Sequence, residues 1–149
     1  MGTETERKFL VKGEFRHLSV KKIQIVQSYL SVDPSRIIRL RIADNQGFMT
    51  IKSPKTGSFI SRKEWEIKLP LKEAKEIMQI CLPGKIYKTR YIVPSGKHKF
   101  EVDVFHDKNE GLVLAEIELG KEGESFKKPE WIGEEVTGNP EYFNSNLIK

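Results

Sequence analysis

Cysteine is nearly missing. Cys81 is the only one in 149 residues, so no internal disulfide can form, and the usage fits a reducing cytosol. Histidine is scarce too. His17, His98 and His106 stand far apart, without the spacing of zinc ligands. No apolar run approaches the ~18 residues of a membrane span. The N-terminus opens on charges rather than an apolar signal region. These absences lead us to expect a cytoplasmic protein with no membrane partner. Internal repeats, low-complexity tracts and long Gly/Ser linkers are also missing, and the length suits one domain with a real core. The abundant feature is charge. Charged residues make up 32% of the chain and the net charge is +5, which favours anionic partners without separating nucleic acid, nucleotide and phosphate.

Alternation of apolar and polar residues predicts strands through most of the chain. They are expected at residues 4–11, 21–32, 36–43, 48–53, 59–69, 85–93, 98–106 and 112–119. Asp33-Pro34-Ser35, Asp44 to Gly47, Pro54 to Ser58, Pro94-Ser95-Gly96 and Asp107 to Gly111 supply turns. Pro70 is placed to start a helix. Leu71, Ala74, Ile77, Met78 and Cys81 form its apolar stripe, and Pro83-Gly84 stops it. In that stripe Cys81 reads as a core thiol. The tail from Lys121 reads as a short helix, a corner at Pro129–Trp131 and a last helix after Asn139-Pro140, with Trp131, Tyr142 and Phe143 packing on the body. About eight strands at regular spacing with few helices predict an α+β chain, mainly antiparallel β, closed or nearly closed into a barrel with peripheral helices.

Strand after strand pairs an apolar face with an ionised one. The ionised faces hold Glu4, Glu6 and Lys8; Arg39 and Arg41; Lys52; Arg62, Glu64 and Glu66; Lys88 and Arg90; Glu101 and Asp103; Glu116 and Glu118. A solvated sheet face mixes Thr, Ser, Lys and Gln, whereas here nearly every position is charged. Like charges repeat along single strands, which is costly unless ions of opposite sign sit between them. With these faces turned inward the sheet encloses an ion-lined tunnel. Glu4 and Glu6, about 7 Å apart on one strand face beside Lys8, suit a divalent cation and a polyphosphate together. Arginine is well matched to bridging phosphate oxygens.

Taken in order, Glu4-x-Glu6-x-Lys8, Arg39-x-Arg41, Lys52, Arg62-x-Glu64-x-Glu66, Lys88-x-Arg90, Glu101-x-Asp103 and Glu116-x-Glu118 resemble the CYTH family, the triphosphate tunnel metalloenzymes. Residues 131–137, from Trp131 to Thr137, look like those of its short bacterial members. The resemblance spans 1–149 as a single domain. It implies an eight-stranded antiparallel tunnel that binds a linear triphosphate with Mg²⁺ or Mn²⁺ and acts on a phosphoanhydride bond. Carried onto this chain, it implies that Lys8, Arg39, Arg41, Lys52, Arg62 and Arg90 bind phosphates. Glu4, Glu6, Asp103, Glu116 and Glu118 become the expected metal ligands. Glu64, Glu66 and Glu101 either ligate metal or hold the basic residues in place. Lys88 either orients or deprotonates the attacking water or is one more phosphate ligand. The expected reaction is hydrolysis of inorganic triphosphate. Cyclisation of ATP, or hydrolysis of a nucleoside or thiamine triphosphate, is the alternative. A small-molecule substrate is expected and a nucleic acid is not; a homodimer is left open.

Overall fold

The computed structural model describes residues 2–55 and 61–149. In chain order they form β1 (Gly2–Val11), β2 (Lys21–Asp33), β3 (Arg36–Ala43), β4 (Gln46–Lys52), β5 (Ser61–Leu69), α1 (Leu71–Met78), β6 (Ile86–Ser95), β7 (His98–Phe105), β8 (Val113–Glu118) and β9 (Ile132–Glu135). The strands lie in the order β5-β4-β3-β2-β6-β7-β8-β1, every neighbouring pair antiparallel. β1 then returns to β5, with Glu4 opposite Arg62 and Thr5 opposite Ser61. Eight strands thus close into a barrel, which leaves them no free edge to pair with another chain. The expected strand start at 59–60 and most of the preceding turn lie outside the described residues.

The outward faces are apolar and are covered from two sides. α1 lies over β3 and β4, where Ala74 and Met78 pack on Leu40 and Ile42. β4 can approach it so closely because position 47 is glycine; a Cβ there would sit 2.5 Å from that of Ala74. On the other side Phe9, Phe15, Phe100, Ile117, Trp131 and Ile132 form a second buried cluster. Inside the barrel the lumen changes character along its length. One step beyond the ionised residue on each strand, Lys8 gives way to Leu10, Glu116 to Leu114, Asp103 to Phe105 and Lys88 to Ile86. Val136, Tyr142, Leu147 and Ile148 from the tail pack onto these four. That end of the barrel is therefore an apolar floor, and the charged part of the lumen stands above it.

Three expectations for the outer elements are corrected. The helix stops at Met78, short of Cys81, which is half-buried against the α1 cluster. The stretch from Lys121 is turn and extended backbone rather than helix; Gly123 takes φ +79 there. The last helix is only two three-residue 3₁₀ turns, Pro140–Tyr142 and Asn144–Asn146. Asn139 caps the first through Glu141 N, and the Asn-Ser-Asn run of the second has poor helix propensity. In addition, β9 pairs with the C-terminal end of β1, beyond the stretch that β5 covers, joining Phe9 to Glu135 and Val11 to Ile132.

Candidate active site

Barrel closure brings the ionised faces of all these strands together. Glu4, Glu6 and Lys8 on β1, Arg39 and Arg41 on β3, Lys52 on β4, Arg62, Glu64 and Glu66 on β5, Lys88 and Arg90 on β6, Glu101 on β7, and Glu116 and Glu118 on β8 line one cavity of about 600 Å³. The charges are sorted around it. β1, β7 and β8 carry a largely acidic wall, in which Glu6 stands opposite Glu118 and Glu101 opposite Glu116. β3 carries a basic wall of Arg39 and Arg41. Between them, cross-strand ion pairs join Glu4 to Lys52 at 3.1 Å and to Arg62 at 3.6 Å.

The basic wall carries no carboxylate of its own. Arg39 Nε and Arg41 Nε are buried without a hydrogen-bond partner among the described residues, as is Arg62 Nε on β5, whose 3.6 Å ion pair with Glu4 is too long for one. Burial and the neighbouring cations Arg39 and Arg90 bring Arg41 down to about 9. Unpaired buried donors are costly, and an anion in the cavity would satisfy all three.

The acidic wall shows the complementary deficit. Burial, Glu116 and Glu4 hold the Glu6 carboxyl well above the usual carboxylate range, and Glu6 hydrogen-bonds Glu116. Glu116 is pulled well below it: burial opposes ionisation, but Lys8, the proton on Glu6 and Arg90 outweigh it. In the same way burial and Glu4 raise Glu64. Burial would raise Glu4 as well, yet Lys52, Glu64 and Arg62 bring it to about 2. Burial, Glu4 and Glu101 raise Glu118. In each of two carboxyl pairs, Glu6 with Glu116 and Glu64 with Glu4, crowding raises one member while the other stays low. A divalent cation would relieve that crowding, and an all-oxygen donor set fits Mg²⁺ or Mn²⁺. Among the described residues no three acidic, His or Cys side chains close into a metal cage.

Asp103 does not line the cavity. Its side chain lies behind Arg90 and Lys88. Arg90 Nε and Nη2 donate to its two oxygens at 2.8 and 2.9 Å, and Lys88 Nζ stands 2.9 Å from Oδ2. Burial would raise Asp103, but Arg90 and Lys88 hold it at about 2. With both oxygens engaged by cations, this geometry disfavours the metal-ligand role expected from sequence. Asp103 instead anchors two basic residues.

Lys88 is 2% exposed, at the bottom of the charged layer with Nζ 5.5 Å from the Phe105 ring centre. Burial, then Arg90 and Arg41, bring it down to about 7 against the pull of Asp103. An amine there exchanges protons near neutrality.

Sequence reasoning missed the wall supplied by β2 and the tail. Tyr29 lines the cavity beside Thr137, Phe143 and Asn144, and Lys55 Nζ lies over the Phe143 ring at 5.3 Å. The tail is held from within: Lys8 Nζ donates to Tyr142 O at 3.0 Å.

Comparison with known proteins agrees with this geometry. The CYTH domain model matches residues 2–147. The chain is 45% identical over 150 residues to the inorganic triphosphatase of Acetivibrio thermocellus, covering 100% of this chain and 95% of that protein. It is 35% identical to the inorganic triphosphatase of Nitrosomonas europaea, covering 97% and 96%. The crystal structure of the inorganic triphosphatase NE1496 superposes with a TM-score of 0.66 at 33% identity, over 97% of both chains.

Proposed function

The chain belongs to the CYTH family, and we propose that it hydrolyses inorganic triphosphate to phosphate and pyrophosphate inside its barrel. The observation that carries this reading is the sorting of charge in one closed lumen. Three buried guanidinium nitrogens lack a hydrogen-bond partner among the described residues, and in the same lumen crowding raises the carboxyls of Glu6 and Glu64. A small polyanion accompanied by a divalent cation answers both deficits at once.

Arg39, Arg41 and Arg62 supply the free donors to phosphate oxygens. Lys8 and Lys52 add charge from the neighbouring walls. Arg90 keeps N–H groups for substrate beyond the three it gives to Asp103 and Glu101. In phosphoryl transfer the protein mainly positions groups and stabilises charge, so such a cage is sufficient machinery. Glu4, Glu6, Glu116 and Glu118 would hold the cation, with Glu64, Glu66 and Glu101 supporting them. The bound cation supplies charge neutralisation on the phosphate chain and an acidified water.

Lys88 is assigned the water. The neutral amine has two N–H bonds, and two acceptors meet it, Asp103 Oδ2 and Asn144 Oδ1, both at 2.9 Å. Its lone pair is then the group left over to take a proton from water. The test is turnover of inorganic triphosphate, ATP and thiamine triphosphate, each with Mg²⁺ and with Mn²⁺, scored for every product. Inorganic triphosphate should be the preferred substrate, and excess chelator should abolish activity. Undiminished turnover in chelator would refute the metal-assisted mechanism.

A further inference from the structure

Asn144 belongs to the C-terminal strap, not to the barrel, yet its amide reaches the residue assigned to the water. Its Oδ1 accepts from Lys88 Nζ at 2.9 Å and from Gln27 Nε2 at 3.1 Å. Gln27 sits on β2, wholly buried, and its Nε2 also donates to Tyr29 Oη at 3.2 Å. The amide orientations depend on one another. Lys88 donates, so Asn144 must turn its oxygen toward it; Gln27 must then present its NH₂ to the same oxygen. Gln27 Oε1 is left buried without a partner among the described residues. That cost would vanish if the amide were simply free to find its best bonds, so its orientation is imposed by its neighbours.

The strap is pinned on both sides of Asn144 by contacts that do not involve Lys88. Lys8 Nζ holds Tyr142 O at 3.0 Å, Asn109 Nδ2 holds Leu147 O at 3.0 Å, and Tyr142 and Leu147 are packed into the apolar floor. Asn144 therefore meets Lys88 from a fixed place. Lys88 Nζ is tetrahedral: one direction is its own side chain, one points to Asp103 and one to Asn144. Only one remains. With Asp103 alone, Nζ could rotate about that single contact; a second fixed acceptor removes the freedom.

We propose that Asn144 is a positioning residue for the hydrolysis, holding Lys88 so that its remaining direction faces the attacking water, and that Gln27 holds Asn144. This rests on the function proposed above. Misplacing a reacting group by about 1 Å costs about 100-fold in rate, so the effect belongs in kcat.

Steady-state kinetics on inorganic triphosphate with Mg²⁺ separate the possibilities. Asn144→Leu, close in size but without an acceptor, should lower kcat about 10- to 100-fold with KM changed less than about 3-fold. Asn144→Asp keeps an oxygen acceptor at that point and should recover most of kcat at alkaline pH, where the amine that its charge makes more basic is again neutral, while the charge raises KM against a polyanion. A purely structural role would not be rescued by a charged side chain. If Asn144→Leu does not fold, Gln27→Met carries the same test, with kcat lowered about 5-fold or more at unchanged KM. Wild-type kcat in a folded Asn144→Leu or Gln27→Met variant would overturn the proposal, as would an Asn144→Asp variant no better than Leu. A wild-type protein without triphosphatase turnover would refute the function itself, a result distinct from any of these.

Discussion

Lys88 and Asp103 face each other across 2.9 Å with 2% and 1% of their surfaces exposed. A pair this deep is stable only as a unit, and Arg90 completes it by gripping both oxygens of Asp103. Removing the carboxylate would leave buried Lys88 without an ion pair and Arg90 with only the longer one to Glu101, at 3.4 Å. Asp103→Ala should therefore destabilise the protein by about 3 kcal/mol or more, measured by denaturant unfolding, as well as lowering activity. A mere metal ligand would do the reverse, since removing one of several crowded carboxylates relieves repulsion.

The same pair sets an acid limit on the fold. Asp103 is lowered from 3.8 to about 2. A carboxyl lowered in the folded state stabilises it fully above the unfolded value and ceases to do so as pH falls through the folded one. Stability should thus decline between about pH 4 and pH 2 in the wild type. A folded Asp103→Asn variant, weaker at neutral pH, should lose less over that interval. Parallel acid-unfolding curves for the two would contradict the assignment.

Catalysis should show the opposite limb. Lys88 is held at about 7 in the free protein. If its neutral form takes the proton from water, kcat/KM should rise with pH through that region and then level off. Lys88→Met should lower kcat about 100-fold or more and remove this limb, whereas loss of a phosphate ligand would appear mainly in KM.

Metal binding should release protons. Glu6 and Glu64 are raised by burial and neighbouring carboxyls, and a divalent cation requires the ionised forms. Affinity for Mg²⁺ should therefore fall as pH is lowered, and titration calorimetry in buffers of different ionisation enthalpy should report the released protons. Glu6→Gln and Glu116→Gln should each weaken metal-dependent turnover about 10-fold or more. Affinity that does not fall as pH is lowered would contradict the raised Glu6 and Glu64 carboxyls.

What could be read from sequence was whatever repeats with period two. Ionised residues alternate with apolar ones on β1, β3, β5, β6, β7 and β8, so the lumen and its composition were legible. Depth along the barrel was not. Glu101 and Asp103 are equivalent in the alternation, yet one lines the cavity and the other lies sealed behind Arg90 and Lys88. Their difference arises from the neighbours β6 brings, and no single strand's pattern contains it. Tyr29 was hidden because the face of β2 that meets the basic wall carries no ionised residue: Gln27 stands opposite Arg41 and Tyr29 opposite Arg39. β9 is four residues long and contains a glycine, too short for a periodic signal. Asn144 opens a single three-residue 3₁₀ turn, too short for a periodic signal, so nothing local announces it.

A lumen sorted into basic and acidic walls should draw its binding energy from the triphosphate and its cation. Competition between inorganic triphosphate and ATP at equal concentration with Mg²⁺, all products being quantified, tests this. Inorganic triphosphate should show the higher kcat/KM and yield phosphate and pyrophosphate, and ATP should give little or no cyclic AMP. Cyclic AMP formed with stoichiometric pyrophosphate as the dominant outcome would contradict it.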